Sequence, residues 1–326
     1  MTCTTRRTVL TTCAAIAGMA VWPGAAASSP MTLLVPYPAG GPSDAIGRAM
    51  NGPLGRELGQ QVIVENVAGA AGTLGARHVL RAAAQGRYIF QGSPNEVILA
   101  PLAMAAARVR AEDFRLVHLV ADAVLVFATR ADLGVRSVDE LVVLARNSAA
   151  SPLTYGSVGI GSLNHFIVED MQRRVGVQLQ HVPYRGNTPL VQDLAGGQVD
   201  FAVLVYSAAL GAMAEQGRLR VIGQLGAQRS ELLRNVPTVA EGESLRNVSF
   251  RTWTGFMVPR TTPEPLVQRL HAAIGRTLQD PNVRAQLAAQ TQHAAAPMSL
   301  AEASAFFDVE TARYRALARI IGLQPQ

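Results

Sequence analysis

Two segments of this chain have the same order of features: an apolar strand, a glycine loop and the start of a helix. They are LLVPYPAGGPSDAIGR at 33–48 and LTYGSVGIGSLNHFIV at 153–168. Glycine lets the backbone approach a ligand closely, and the following helix presents unpaired N–H groups and a partial positive charge. Each unit is therefore suited to bind an anion. Two such units, far apart in the chain, predict two lobes that close on one small acid.

Apolar runs alternate with helical patterns along the rest of the chain. This alternation predicts an α/β fold with mostly parallel sheets. The predicted strands are 31–36, 61–65, 87–91, 116–121, 124–129, 153–156, 179–182, 199–206, 219–224 and 253–258, and the predicted helices are 43–58, 73–84, 95–105, 137–147, 162–175, 187–196, 207–216, 263–278, 281–290 and 299–321.

The chain is predicted to pass twice between the lobes. VLVFATR at 124–130 leaves the first lobe, and FRTWTGFMVP at 250–259 returns to it. The second lobe is then a single insertion, residues 128–250, and the first lobe consists of 28–127 together with 251–326. Two connecting strands form a hinge that bends with little loss of packing.

The N-terminal residues 1–27 have the features of a secretory signal peptide. Arg6 and Arg7 precede the apolar stretch 9–22, and Ala25-Ala26-Ala27 forms a small-residue cleavage site. The apolar stretch of about 14 residues is shorter than the roughly 20 that span a bilayer. We therefore expect a periplasmic protein that is cleaved near Ala27. The paired arginines leave both the general and the twin-arginine export routes open.

The composition excludes several classes of chemistry. Both cysteines, Cys3 and Cys13, lie in the predicted signal peptide, so the mature chain has no disulfide and no thiol nucleophile. The chain has no lysine, which excludes Schiff-base and P-loop chemistry. The six histidines lack the close spacing of a metal site. We therefore expect neither a metal nor a cofactor.

The charge pattern indicates the class of partner. Without Arg6 and Arg7, the 29 arginines become 27 against 23 acidic residues, a net charge of +4. The arginines are scattered, whereas a nucleic-acid-binding protein would cluster them. A mildly positive field favours small anionic ligands, and we expect no nucleic-acid partner.

The second glycine loop allows more than one interpretation. Gly159-Ile160-Gly161 lacks the third glycine of a dinucleotide fingerprint. Ser162 and His165 are spaced as a nucleophile pair of a secreted hydrolase would be, but a hydroxyl at a helix start is usually a cap. The favoured interpretation is that Ser162 caps the helix and also donates to a ligand oxygen. His165 is equally compatible with a ligand contact and with a structural role.

Asp44 stands in the first turn of the helix that follows the first loop. Its carboxylate is able either to cap that loop or to contact a ligand. An acid directed at an acidic ligand would repel it, so capping is the favoured interpretation.

Seven segments, in this order along the chain, resemble the Bug family, the extracytoplasmic solute receptors of the tripartite tricarboxylate transporter class. Each segment is weak evidence alone, but the ordered set is specific and covers nearly the whole mature chain. The segments are VPYPAGGPSD (35–44), VIVENVAGAAGTLGA (62–76), LTYGSVGIGSLNHF (153–166), HVPYRGNTP (181–189), DLAGGQVDF (193–201), NVPTVAEGE (235–243) and WTGFMVPRTTP (253–263).

The resemblance implies a type II-like periplasmic binding protein fold, with two α/β lobes joined by two crossing strands. It implies a non-enzymatic receptor that captures a small organic acid and delivers it to the membrane subunits of a tripartite transporter. A monomer is expected. A hydrolase that uses Ser162 and His165, and a ligand-sensing partner of a membrane sensor, remain alternatives.

The family's ligand-binding loops can be transferred to this chain by position. In the family, one ligand carboxylate is held by backbone amides and ordered waters between the lobes. The chain departs from the pattern at Val67, Ala68 and Gly69, where Arg-Pro-Gly is usual, which leaves the specificity for the ligand's far end open. The implied ligand-binding residues are Pro38, Ala39, Gly40, Gly41, Asp44, Ala68, Gly69, Ala70, Ala71, Gly72, Ser93, Asn95, Gly159, Gly161, Ser162, His165, Tyr184, Arg185 and Gly186.

Overall fold

In a computed structural model, which describes residues 29–322, the chain forms two sheets flanked by helices. The predicted signal peptide lies outside the described residues. The strands are β1 (Met31–Val35), β2 (Val62–Asn66), β3 (Tyr88–Gly92), β4 (Phe114–Ala123), β5 (Leu125–Arg130), β6 (Thr154–Ser157), β7 (Gln180–Pro183), β8 (Phe201–Val205), β9 (Leu219–Gln224), β10 (Thr252–Pro259) and β11 (Gln292–Ala294).

The helices follow the predicted pattern closely. They are α1 (Pro42–Leu58), α2 (Thr73–Arg81), α3 (Ala100–Ala103), α4 (Val138–Asn147), α5 (Leu163–Val175), α6 (Asn187–Ala195), α7 (Ala208–Glu215), α8 (Glu264–Gln279), α9 (Pro281–Ala289) and α10 (Leu300–Ile321).

Two details of the pattern were predicted wrongly. The helix predicted at 95–105 is a π-helical turn, Asn95–Leu99, followed by the short α3. Strand β11 was not predicted, because three residues are too few to show an alternating pattern.

The first sheet has the strand order β11-β4-β10-β3-β1-β2, and the second has the order β7-β6-β8-β5-β9. Both sheets are mixed, whereas mostly parallel sheets were expected. β10 runs antiparallel to β3 and β4, and β5 runs antiparallel to β8 and β9. These are the first strands after each passage between the sheets. Each therefore begins at the edge of its sheet where the neighbouring antiparallel strands end.

The chain passes twice between the sheets, at points within the segments 124–130 and 250–259. β4 ends at Ala123 and β5 begins at Leu125, so the first passage is at Val124. The predicted boundary between residues 127 and 128 falls inside β5, which pairs along its whole length with the second sheet. On the return, the Phe250 N–H still bonds to the Leu225 carbonyl, and β10 follows in the first sheet. The lobe limits remain a prediction, and we place the first of them at Val124.

Burial of apolar faces holds each sheet to its helices. On one face of the first sheet, Ile46, Met50 and Leu270 are buried between β1, α1 and α8. A second apolar cluster extends from Phe114 in β4 to Phe127 in β5 and Phe201 in β8, so it contains residues of both sheets. Burial of each such side chain contributes about 1.5–3 kcal/mol. Within residues 29–322, no helix has both the length and the hydrophobicity needed to cross a bilayer.

Candidate ligand-binding site

A cavity of about 60 Å³ lies between the two sheets, at the edge where β1, β3, β4, β6 and β8 end. Ligands of α/β proteins bind at this carboxyl edge. About 10–15 Å³ is needed per water molecule, so the cavity holds a short molecule. Its lining residues are Tyr37, Pro38, Gly41, Pro42, Ser43, Ile46, Ser93, Asn95, Ala123, Val158, Asn164, Asn187, Thr188, Val205, Thr252, Thr254 and Gln292.

The N-terminus of α1 contributes one wall of the cavity. Its N-cap is Gly41, which has no side chain to bond the first-turn N–H groups. The N–H groups of Ser43 and Asp44 have no partner within the helix, and Pro42 has no N–H. The φ angle of Gly41 is −90°, an ordinary value, whereas Gly40 has φ +80°. Gly40 is therefore the residue at which this loop needs glycine's freedom.

Asp44 holds the first loop in shape. Its buried carboxylate accepts hydrogen bonds from the Gly40 N–H at 2.9 Å, from Arg48 Nε at 2.8 Å and from Asn66 Nδ2 at 3.0 Å. Burial raises the pKa of Asp44, but these hydrogen bonds outweigh it and lower the pKa below its ordinary value. The geometry agrees with the capping interpretation. Asp44, Gly40 and Ala39 are absent from the cavity lining.

The N-terminus of α6 contributes the opposite wall. Its N-cap is Gly186, again without a side-chain cap, so the N–H groups of Asn187 and Thr188 lack partners within the helix. A Cβ atom placed on Gly41 would lie 3.4 Å from Thr188 Oγ1. Two helix N-termini from opposite lobes therefore face each other across the cavity. Each carries about half a positive charge, which together matches one carboxylate.

The second predicted glycine loop has a different role. Gly159 and Gly161 have φ values of +131° and +76°, and both pack against the first lobe. A Cβ atom on Gly159 would lie 3.0 Å from the Ala71 nitrogen, and one on Gly161 would lie 2.7 Å from the Ala100 Cα. Neither glycine lines the cavity. The loop is a contact between the lobes.

The helix start behind this loop is already occupied. Ser162 is fully buried, and its Oγ accepts the His165 N–H at 3.3 Å. The Leu163 N–H donates to Asn95 Oδ1, 2.8 Å away in the other lobe. Ser162 is therefore a helix cap, as predicted. Nothing tests its predicted donation to a ligand, but Ser162 lies outside the cavity lining, so we expect its hydroxyl to act as a cap alone.

His165 belongs to a buried stack of rings rather than to the cavity. Its Nδ1 accepts the Gly161 N–H at 3.2 Å, and its ring lies 4.3 Å from that of His181. Burial lowers the pKa of each histidine to about 4. Among residues 29–322, the hydrogen bonds of Ser162 include none to the His165 ring. A nucleophile–base pair requires such a bond.

Tyr37 and Asn95 are polar residues of the first lobe that line the cavity. Asn95 Nδ2 donates to the Tyr37 hydroxyl at 2.8 Å. Behind them, the buried Glu96 carboxyl accepts the N–H and the hydroxyl of Ser93 at 2.6 and 2.7 Å. Burial raises the pKa of Glu96 and of Tyr37, and the proximity of Glu96 raises the pKa of Tyr37 further. Ser93 and Asn95 were predicted as site residues and both line the cavity.

The remaining predicted residues do not line the cavity. Residues 69–72 all have positive φ, and Ala71 is the residue that faces Gly159 across the lobes. Tyr184 donates its hydroxyl to Asp193 at 2.9 Å, and Arg185 is exposed. A Cβ atom on Gly186 would lie 2.7 Å from the Pro38 Cδ. Of these residues, Ala71 and Gly186 contact the opposite lobe.

Sequence reasoning missed the hinge end of the cavity. Ala123 pairs with Thr252 on one side and with Gln292 on the other, and these three residues form a continuous wall. The alternation Thr252, Trp253, Thr254 was a usable signal, because alternate strand residues face opposite sides. Gln292 lies in the unpredicted β11, so no pattern identified it.

Comparison with known proteins identifies the family. The family model described as "Tripartite tricarboxylate transporter family receptor" (TctC) matches residues 46–323. The "UPF0065 protein in tcbD-tcbE intergenic region" of a Pseudomonas species is 34% identical over 89% of this chain and 85% of its own length. Protein BugT of Bordetella pertussis is 31% identical over 80% of each chain.

Solved structures agree with the fold. The periplasmic binding protein BugD has a TM-score of 0.83 and 25% identity, covering 91% of this chain and 99% of its own. MatC from Rhodopseudomonas palustris, with bound malate, has a TM-score of 0.82 and 26% identity, covering 89% and 99%. An R. palustris protein with adipate has a TM-score of 0.84 and 26% identity, covering 92% and 99%. The predicted two-lobed periplasmic binding protein fold and the Bug resemblance are confirmed: the chain belongs to the TctC family of tripartite tricarboxylate transporter receptors.

Proposed function

We propose that this protein is a periplasmic receptor that binds one carboxylate of a small organic acid between its lobes. It then delivers the acid to the membrane subunits of a tripartite tricarboxylate transporter. The observation that carries this proposal is the pair of uncapped helix N-termini, α1 and α6, which face each other across the cavity. Relatives in the family with bound malate and adipate support the ligand class.

The binding chemistry follows from fixed backbone dipoles. Ser43, Asn187 and Thr188 offer N–H groups that are already oriented, so they need no reorganisation when the ligand arrives. Each helix end contributes about 0.3–1 kcal/mol, and up to about 2 when partly buried. A micromolar Kd corresponds to about −8 kcal/mol. Hydrogen bonds to the polar lining and burial of the ligand's carbon chain supply the difference.

Ligand binding is coupled to closure of the lobes. The lobes meet through Gly159 and Gly161 and through the hydrogen bond between Asn95 and Leu163. A ligand that touches both α1 and α6 stabilises this closed arrangement over an open one. The closed form is the one that the transporter recognises, because only there do both lobes have a fixed relation.

Isothermal titration calorimetry tests the function. The screen contains di- and tricarboxylates of four to six carbons, hydroxy acids, acidic amino acids and aromatic acids. We expect at least one acid to bind with a micromolar or lower Kd. Absence of binding by every acid contradicts the proposal. Ester or amide turnover that is lost in Ser162→Ala would instead identify a hydrolase.

Small-angle scattering tests the closure. We expect a smaller radius of gyration at saturating ligand than in the free protein, with each lobe internally unchanged. Identical scattering curves with and without a ligand of proven affinity would exclude closure, while the binding function would stand.

A further inference from the structure

Among residues 29–322, none with a charged side chain lines the cavity. Among the described residues around it, the polar groups are hydroxyls, carboxamides and backbone amides. The two helix N-termini together supply about one positive charge, and both lie at the α1–α6 end. The cavity therefore compensates one carboxylate at that end.

The hinge end of the cavity is neutral because of the strand register. Thr252, Ala123 and Gln292 are paired neighbours on β10, β4 and β11, and all three face the cavity. The next positions along these strands, Trp253, Asp122 and His293, line a separate groove on the outer side and are absent from the cavity lining, whereas Thr252 borders both. Alternation of side chains in the strands thus directs the carboxylate of Asp122 away from the ligand.

A second ligand carboxylate at the hinge end would lose its hydration without a compensating cation. Burial of an unpaired charge is strongly unfavourable, whereas a buried hydroxyl or amide needs only hydrogen-bond partners. The hinge end offers such partners in the Thr252 and Thr254 hydroxyls and the Gln292 carboxamide. Gln292 is almost fully buried, and its Nε2 bonds to the Gln290 carbonyl at 3.3 Å, which leaves Oε1 as the acceptor for a ligand.

We infer that the ligand is a short monocarboxylate with an uncharged hydroxyl or amide at its far end, and that Gln292 selects this group. The inference rests on the proposed receptor function and narrows its ligand class. Residues 67–69 do not line the cavity. We therefore expect that the Val67-Ala68-Gly69 loop does not contact the uncharged end of the ligand.

Matched ligand pairs test the inference on the wild-type protein. Calorimetry compares each ω-hydroxy acid and ω-amide of three to six carbons with the diacid of the same length, such as 4-hydroxybutyrate with succinate and glutaramate with glutarate. At neutral pH both carboxyl groups of the diacid are ionised. We expect the uncharged member of the best pair to bind at least about tenfold more tightly. Tighter binding of the diacids overturns the inference and leaves the receptor function intact. Failure of every acid to bind refutes the receptor function itself.

Charge variants test the role of Gln292. Gln292→Lys places a cation at the hinge end and should reverse the preference in favour of the diacid. His293→Lys adds the same charge one residue later, on the outer face, and should leave the preference unchanged. Equal effects of the two variants on the ligand preference would contradict a specific role of Gln292, because they would show that the overall charge of the protein determines the preference.

A neutral variant covers the case in which a buried lysine prevents folding. Gln292→Leu keeps a similar volume and removes the acceptor. The preference of the wild type for 4-hydroxybutyrate over butyrate should fall to near equality in this variant, while the thermal transition shows that the chain is folded. A preference that survives in folded Gln292→Leu contradicts the assignment of Gln292.

Discussion

The two strand–glycine–helix units look alike in sequence but perform different tasks. In the first, residues 33–48, the N-cap is Gly41, and the helix end is open to the cavity. In the second, residues 153–168, the N-cap is Ser162, whose hydroxyl bonds a first-turn N–H, while Asn95 takes another. Helix α6 resembles α1 in this respect, because its N-cap is also a glycine, Gly186. A glycine N-cap leaves donors for a ligand, and a serine N-cap consumes them.

The largest effect is expected from Gly161→Val in the second unit. The residue has φ +76°, and a Cβ atom would lie 2.7 Å from the Ala100 Cα. Left-handed backbone costs about 1–2 kcal/mol, and the overlap adds about 1–3 kcal/mol. We expect the free energy of unfolding to fall by about 2–5 kcal/mol in urea denaturation. Gly176→Val, at φ +68° with no atom within 4 Å of the added Cβ, is the control for backbone strain alone. An equal loss in both variants would mean that the lobe contact contributes nothing.

A moderate decrease in pH should destabilise the second unit, residues 153–168, through protonation of His165. The folded-state pKa of His165 is about 4, below the unfolded value of about 6.5, because burial disfavours its charged form. The unfolded chain therefore binds more protons between these values, and stability falls as pH decreases from about 6.5 to about 4. The full contribution is up to about 3 kcal/mol.

The measurement is the free energy of unfolding between about pH 6.5 and pH 5, above the range in which ordinary carboxyl groups titrate. Replacement of His165 by Gln should reduce this dependence by about half, because His181 has the same lowered pKa and remains in the stack. A slope that stays unchanged in His165→Gln would show that another group causes it.

Gly41→Val should prevent ligand binding at the N-terminus of α1 without straining the backbone. Gly41 has φ −90°, so valine adopts its backbone angles, but the side chain would lie between α1 and Thr188. We expect the ligand Kd to rise at least about hundredfold, about 2.7 kcal/mol. Gly52→Val on the exposed side of the same helix, with no atom within 4 Å, should leave the Kd unchanged. Wild-type affinity in Gly41→Val would show that the α1 end is not the ligand cradle.

The smallest effect is expected from Ser162→Ala. Loss of the cap should lower the free energy of unfolding by about 1 kcal/mol and leave the ligand Kd unchanged. Ser137→Ala at α4, where the hydroxyl accepts the Glu140 N–H at 3.1 Å, should show the same loss. A weaker Kd in Ser162→Ala alone would instead support the ligand-donor role.

The candidate site was only partly predictable from local pattern. Pro38, Gly41, Ser93 and Asn95 were predicted and line the cavity. Asn164 and Thr188 stood in the segments that carried the family resemblance but were not selected. The hinge wall was missed because its residues come from three strands that are distant in the chain.

The sequence alone determined the local elements, the two passages and the family. Apolar periodicity, glycine loops and caps act over a few residues, so they are readable from a linear chain. The tertiary structure alone decided which helix ends remain available to a ligand. Gly41 lies beside Thr188, and the Leu163 N–H meets Asn95, only because the lobes place these distant residues together. Strand register likewise directed Gln292 into the cavity and Asp122 out of it. Such pairings depend on packing between elements, which no local pattern encodes.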